Sequence, residues 1–185
     1  MTRAGCAFLI ASFLTLLWLP VAMLAQQSAD DHSLIVVETS KGSFLIETFP
    51  EDAPITVAHF TDLVSNGFYD GQRIHRAEPN FVVQFGDPRS REIDLRDVWG
   101  RGVDAGSGRI VGAAELAGRL SHTMGTVGLA HMGIPARADS QIYITLADRP
   151  DLDGRYAIVG RLVAGHDVLS RLQFGDVIIR MYVRD

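Results

Sequence analysis

The sequence predicts a mainly β domain, a closed eight-stranded antiparallel β-barrel capped by two α-helices. Three observations support this prediction. About eight short apolar runs are each bounded by turn residues, most of the connections are too short for the crossovers that parallel strands need, and only two segments are candidate helices. Closure removes exposed sheet edges, and an eight-stranded barrel has room only for its own side chains. A functional site is therefore expected on the outer wall or the rim.

The N-terminal segment differs from the rest of the 185-residue chain. Arg3 is the only charged residue before Asp30, and residues 4–25 are almost wholly apolar. A basic start, an apolar run and a small-residue end are typical of a secretory signal peptide, and the run is also long enough for a membrane anchor. We therefore expect a signal peptide or anchor over 1–25, a linker over 26–32, and one domain over 33–185.

The first elements of the domain follow from local signals. Two strand-type runs flank the turn Ser40-Lys41-Gly42, which predicts a β-hairpin over 33–49. A helix is expected next, with Asp52 as its capping acid and Pro54 in its first turn, ending at Asn66-Gly67. Its buried face is expected at Val57, Phe60 and Val64.

The remaining elements are mostly strands. A turn is expected at Glu78-Pro79-Asn80, a short helix over 167–172, and a long surface excursion over 90–122, which is rich in glycine and charge. The predicted strands cover residues 72–76, 81–85, 126–130, 141–145, 157–163 and 177–183.

Composition and motifs exclude several classes of function. The net charge of −5 argues against nucleic acid as a partner. The one cysteine, Cys6, lies in the N-terminal segment, so the domain has no disulfide or thiolate metal site. The six histidines lack metal-ligand spacing, and no phosphate-binding glycine loop or nucleophile elbow is present. We therefore expect neither a metal nor a cofactor.

Strand alternation indicates which side chains face outward. Arg76 ends one predicted strand, and Val82 and Gln84 point to one side of the next. Gln141 and Tyr143 share a face of a third strand, while the isoleucines between and after them suit the barrel interior. An exposed aromatic at Tyr143 indicates a binding surface on the outer wall.

Four blocks, in the same order along the chain, resemble the cyclophilin family. Residues 74–87 resemble F-H-R-x-x-x-x-F-x-x-Q-G-G-D, residues 125–131 resemble G-x-x-x-M-A-N/R, residues 140–144 match S-Q-F-F-I, and residues 152–160 match L-D-G-x-H/Y-x-x-F-G. The resemblance covers residues 33–183. It implies a peptidyl-prolyl cis-trans isomerase, or rotamase, whose family fold is an eight-stranded barrel with two helices.

The resemblance also implies the roles of individual residues. It places Arg76 and Gln84 at catalytic positions, and Gln141, like Gln84, would bind the substrate backbone or position Arg76. Val82 replaces a usual methionine, Tyr143 a usual phenylalanine, and Phe85 a common glycine of the first block. The implied proline pocket is lined by Phe81, Val82, Tyr143, Leu152 and Tyr156, with Ala130 and His131 bordering the neighbouring subsite.

The expected function is assistance of protein folding by isomerisation of X-Pro bonds in exported proteins. The expected partners are proline-containing polypeptides, the expected state is a monomer, and the expected location is the periplasm or the exterior. The membrane is involved only if residues 4–25 stay attached as an inner-membrane anchor. One alternative is a non-catalytic module that binds proline peptides as a chaperone or scaffold, although ring binding alone needs no donor such as Arg76. The other is a hydrolase built on Ser140 or Ser121.

Overall fold

The computed structural model of the protein describes residues 32–102, 105–116 and 118–184. The predicted signal peptide or anchor over 1–25 and the linker, apart from His32, lie outside the described residues. Within the described ranges, no helix is both long and apolar enough to cross a membrane.

The eight antiparallel strands and two α-helices that the sequence predicts are present. The strands form one sheet in the order β3-β4-β6-β5-β7-β2-β1-β8. The strands are β1 (Leu34–Thr39), β2 (Gly42–Thr48), β3 (Arg76–Glu78), β4 (Val82–Phe85), β5 (Thr126–Leu129), β6 (Ile142–Thr145), β7 (Ala157–Ala164) and β8 (Ile178–Arg184), and the helices are α1 (Pro54–Ser65) and α2 (His166–Arg171).

The sheet curls until its two end strands, β3 and β8, approach each other at a seam. An isolated bridge between Arg73 and Val177 closes the seam. Beside it, Ile74 N donates to the carbonyl of Asp176 at 2.9 Å. The predicted strand over 72–76 is therefore wrong for most of its length, because this segment bonds to the start of β8 and a regular ladder with β4 begins only at Arg76.

Side chains that alternate inward from the strands fill the barrel, as expected for eight strands. Helix α1 packs against β7 and β8, and α2 packs against β2. Within α1, the predicted face of Val57, Phe60 and Val64 is buried. The inward strand residues, all buried, are Ile35, Val37, Phe44, Ile46, Val83, Phe85, Val127, Leu129, Ile142 and Ile144.

The N-terminus of α1 is capped from a distant part of the chain. The N-cap residue is Ala53, which makes no side-chain cap, so the prediction that Asp52 caps the helix is wrong. Asp52 lies one residue too early and instead accepts a hydrogen bond from Arg119. The Glu115 carboxylate accepts from Ile55 N at 3.1 Å and from Thr56 N at 2.7 Å. It thereby satisfies two of the N–H groups that a helix leaves free at its start.

The connection from β4 to β5, residues 86–125, crosses the outside of the barrel and includes the excursion predicted over 90–122. It contains two 3₁₀ helices, Pro88–Arg91 and Ile93–Val98, and its other described residues form no helix or strand. Carboxylates hold it in place by accepting hydrogen bonds from its backbone N–H groups. These bonds join Gly100 N to Asp87 at 2.7 Å, Gly108 N to Asp139 at 2.9 Å, and His122 N to Asp153 at 2.7 Å.

These hydrogen bonds favour the ionised carboxylates. Burial acts to raise the pKa of Asp87 and of Asp139, but hydrogen bonds to each carboxylate outweigh it and the pKa of both is lowered. The pKa of Asp153 is lowered by its hydrogen bonds from Ser121 and His122. The excursion is therefore attached through charged acceptors.

Candidate active site

The register of the sheet lines up one row of residues across four strands. Arg76 pairs with Gln84, Gln84 pairs with Tyr143, and Tyr143 pairs with Gly128. The neighbours of these residues, such as Val83 and Ile144, fill the barrel interior, so the row lies on the outer wall. Residues that are far apart in the sequence therefore form one surface.

Arg76 lies at the start of β3, at the polar end of this surface. Its Nε donates to Glu78 Oε1 at 2.8 Å, and its Nη1 lies 3.5 Å from Gln84 Oε1. The guanidinium carbon lies 4.8 Å from the centroid of the Phe81 ring. The Arg76 side chain remains 41% exposed, so it is oriented by its neighbours and still accessible to a ligand.

Two glutamines connect Arg76 to the excursion. Gln84 Nε2 donates to Gln141 Oε1 at 2.8 Å, and Gln141 Nε2 donates to the carbonyl of Ala105 at 2.9 Å. Of the two predicted glutamines, Gln84 thus lies beside Arg76 and Gln141 lies one hydrogen bond farther away. In this arrangement Gln141 contacts Gln84 and the excursion, and Gln84 is the one that reaches the guanidinium.

The apolar end of the surface is a small cluster separate from the barrel core. Val82, Tyr143 and Leu152 are buried within it, and Phe81, Ala130 and Tyr156 pack against them. All five predicted pocket residues, together with Ala130, are therefore neighbours. They form an apolar cluster, the candidate proline pocket, and Phe81 at its side lies against the planar Arg76 guanidinium.

Tyr143 faces outward as predicted, but it is buried rather than exposed, with 4% of its surface accessible. The Tyr156 ring meets it edge-on with centroids 5.6 Å apart, and the His122 ring lies at its hydroxyl end, nearly parallel to it, with centroids 6.0 Å apart. The expectation of an exposed aromatic is therefore wrong, because loops from outside the sheet cover this side chain.

A cavity of about 400 Å³ adjoins the pocket, between the barrel wall and the excursion. Ala130 and His131 line it, as do Gln84 and Gln141. The His131 ring also lies against Tyr156, with centroids 4.6 Å apart. Both residues predicted to border a neighbouring subsite thus lie between the pocket and this cavity.

The structure adds two residues that the sequence reasoning did not find. The Arg149 guanidinium lies 3.9 Å from the centroid of Phe81 and bonds to both oxygens of Asp151, at 2.8 and 2.7 Å. His122 is 1% exposed and lies behind the pocket. Both residues lie outside the four blocks, so no motif marks them.

The arrangement does not suit hydrolysis. The Ser140 hydroxyl is buried and donates to the carbonyl of Gly86 at 2.7 Å. Ser121 and His122 each bond to Asp153, and His122 Nε2 lies 2.8 Å from the Tyr143 hydroxyl rather than beside a serine. A serine nucleophile needs a base within hydrogen-bond reach. In the described part of the chain, no group of three or more His, Cys, Asp or Glu residues could hold a metal ion.

Comparisons with known proteins agree with this geometry. The family model described as "Cyclophilin type peptidyl-prolyl cis-trans isomerase/CLD" matches residues 34–180. The Schizosaccharomyces pombe protein "Peptidyl-prolyl cis-trans isomerase ppi1" is 37% identical over 139 residues, which cover 75% of this chain and 83% of that protein. A probable peptidyl-prolyl cis-trans isomerase of Brucella abortus strain 2308 is 32% identical over 155 residues, covering 84% of this chain and 79% of the relative.

A solved structure shares the fold. The cyclophilin type peptidyl-prolyl cis-trans isomerase of Cryptosporidium parvum superposes with a TM-score of 0.71 at 23% identity, covering 83% of this chain and 98% of that one. Together with the family model and the curated relatives, the fold and the pocket lead to one conclusion. This chain belongs to the cyclophilin family of peptidyl-prolyl cis-trans isomerases.

Proposed function

We propose that the chain isomerises X-Pro bonds in exported proteins, with Arg76 as the catalytic donor. The observation that supports this role is the position of the Arg76 guanidinium. It is oriented by Glu78 and Gln84 and contacts Phe81, which forms one side of the apolar pocket. A proline ring in that pocket brings its own nitrogen next to an N–H donor.

The physics of the reaction explains why a donor at this place is useful. The peptide C–N bond has partial double-bond character, and its rotation barrier is about 18–20 kcal/mol. In the twisted transition state the prolyl nitrogen lone pair leaves conjugation and becomes a hydrogen-bond acceptor. A guanidinium aimed at that nitrogen therefore binds the transition state better than either planar isomer, which is the condition for catalysis.

The apolar cluster supplies the grip for the ring. Val82 and Leu152 offer aliphatic surface and Tyr143 a ring, each less than one-tenth exposed. The Cryptosporidium parvum cyclophilin has also been solved "in the presence of dipeptide ala-pro". We propose that a proline ring binds against this cluster while the preceding carbonyl group rotates.

The test of the catalytic role is Arg76→Ala, assayed with an X-Pro peptide. Loss of one transition-state donor should lower kcat/KM about 10²–10³-fold, while the affinity for a proline peptide and the melting temperature change little. Arg76→Lys should rescue little, because an ammonium group lacks the planar donor fork. Arg180→Ala removes an exposed arginine on β8 and serves as the matched control. Activity of Arg76→Ala within a few-fold of wild type, with the fold intact, would refute the assignment.

The proposed location is outside the cytoplasmic membrane, in the periplasm or beyond, with residues 4–25 as either a cleaved signal or an anchor. Arg3 followed by this apolar run supports export with the N-terminus inside. Fractionation of cells that express the full chain is the test. Recovery of full-length protein in the soluble cytosol would contradict the proposal. Retention in the membrane with the N-terminus intact would favour the anchor.

A further inference from the structure

Three polar side chains form a chain of hydrogen bonds behind the apolar pocket. Asp153 Oδ1 lies 2.7 Å from His122 Nδ1, and His122 Nε2 lies 2.8 Å from the Tyr143 hydroxyl. His122 is 1% exposed and Tyr143 4% exposed. The chain thus links a carboxylate at the surface to the aromatic ring at the back of the pocket.

The partners of Asp153 determine the direction of these hydrogen bonds. Its carboxylate also accepts from the His122 backbone N–H and the Ser121 hydroxyl, and these bonds lower its pKa. An ionised carboxylate can only accept, so His122 Nδ1 carries the hydrogen and donates it. In a neutral imidazole the other nitrogen is then an acceptor. In that neutral form the Tyr143 hydroxyl donates to His122 Nε2.

The Tyr143 ring lies directly over the backbone of a glycine on the neighbouring strand. Gly128 pairs with Tyr143 across the sheet, and a Cβ atom added at Gly128 would lie 2.3 Å from both Tyr143 Cζ and the hydroxyl oxygen. Only a residue without a side chain leaves room for the ring at this place. Three neighbours thus hold the Tyr143 side chain. Gly128 leaves space for the ring, Tyr156 packs against it at nearly a right angle, and His122 bonds to its hydroxyl.

We infer that His122, held by Asp153, is a positioning residue that keeps the Tyr143 ring at the back of the proline pocket. His122 accepts the hydrogen bond of the Tyr143 hydroxyl. The substrate therefore meets the apolar ring and no unpaired O–H donor. Without this acceptor, a buried hydroxyl would lack a partner, which is unfavourable. The ring would then turn toward water and occupy the space for proline. This inference rests on the proposed function, because it assigns a role in binding the prolyl ring.

The test is a double-mutant cycle between His122 and Tyr143. His122→Phe keeps a ring against Tyr143 but removes the acceptor, and should weaken binding of an Ala-Pro peptide and raise KM roughly tenfold, with a smaller effect on kcat. Tyr143→Phe removes the hydroxyl and should bind within about threefold of wild type. In the Tyr143→Phe background, His122→Phe should then cost little. An equal loss of affinity in both backgrounds would show that His122 only fills space and would overturn the inference.

Nitrogen-15 NMR on the unliganded wild-type protein gives an independent readout, which does not depend on any variant folding. We expect Nδ1 of His122 to carry the hydrogen and Nε2 to be the acceptor. The opposite tautomer, or a ring with hydrogen on both nitrogens, would overturn the inference. This measurement needs no substrate, so its outcome is separate from that of Arg76→Ala. If the proposed function is wrong, the Arg76→Ala variant will remain active, and this outcome does not depend on the tautomer of His122.

Discussion

The barrel interior and the excursion differ in how well they bury apolar side chains. In the interior, Phe44, Phe85 and Ile144 are each at most 1% exposed. In the excursion, Ile93 is 52% and Ile110 56% exposed. The barrel is stabilised by apolar burial, which depends little on pH. The excursion is attached in part by hydrogen bonds to carboxylates, which weaken when these are protonated. The two regions should therefore respond to different perturbations. The candidate site depends on both, because its Gln141 bonds to Ala105 of the excursion.

The largest effect is expected from the barrel core. Phe85→Ala should destabilise the whole domain by about 3–5 kcal/mol, because Phe85 is fully buried among other core side chains. Urea unfolding followed by circular dichroism measures this. Val163→Ala, at a 39% exposed site on β7, is the control and should change stability by about 0.5 kcal/mol or less. A Phe85→Ala loss near that of the control would mean that the core is not the main source of stability.

The next effect concerns pH and a histidine at the junction of the two regions. The His75 ring lies against Gly100 of the excursion, and burial lowers its pKa to about 4 from 6.5. Between pH 6.5 and pH 4 this histidine is protonated in the unfolded chain but neutral in the native protein. The free energy of unfolding should therefore fall by about 3 kcal/mol as the pH drops toward 4.

Unfolding free energies measured between pH 7 and pH 4 test this expectation. His75→Phe, which removes the titrating ring, should flatten the slope over that range, and His166→Phe, at an exposed histidine, should leave it unchanged. A slope that persists in His75→Phe would assign the pH dependence to other groups.

A smaller and local effect is expected at Asp87. Asp87→Asn weakens the bonds to Arg89 and to Gly100 N and should cost about 1.5–3 kcal/mol, the range for hydrogen bonds to a charged group. Amide hydrogen exchange should rise near Gly100 while β1 and β2 stay protected. Asp97→Asn, at an exposed carboxylate in the same segment, is the control. Uniform loss of protection across the barrel would contradict the separation of the two regions.

Lowering the pH should loosen the excursion in the same way as the Asp87→Asn substitution. The pKa values of Asp87, Asp139 and Asp153 are lowered from 3.8. Their contribution is therefore present above about pH 4 and is lost as the pH falls through the lowered values. Exchange measured below pH 4 should show the excursion opening before the barrel strands.

The smallest effect is expected where the excursion caps α1. Glu115→Gln keeps one acceptor oxygen but loses the charge, and should destabilise the domain by about 1 kcal/mol. Thermal melting should show a drop of about 2–4 °C. Glu92→Gln, at an exposed position in the excursion, should show no measurable change. If the two variants melt alike, Glu115 does not stabilise the helix.

Local signals were sufficient for the parts of the fold that depend on neighbouring residues. The first hairpin forms where its turn predicts it, because β1 and β2 are adjacent in the chain. The segment 72–76 is not a regular strand, because its partner is the stretch that leads into β8, about a hundred residues away. Glu115 as the cap of α1 is not predictable, because nothing near Asp52 in the sequence points to it.

The candidate site shows the same division. Strand alternation placed Val82, Gln84, Gln141 and Tyr143 on the correct face, and the family resemblance grouped the pocket residues that the structure brings together. The burial of Tyr143 and the position of His122 were not predictable, because both follow from how the excursion folds back over the wall.

The seam between β3 and β8 also affects how the protein can associate. A barrel has no free edge as long as the two end strands of its sheet stay joined. Here the end strands are β3 and β8, and the isolated bridge between Arg73 and Val177 is part of that join. Opening the seam would present two unpaired backbone edges at once, which are templates for pairing with another chain. The same short seam that lets the sheet close therefore keeps both of its end strands covered.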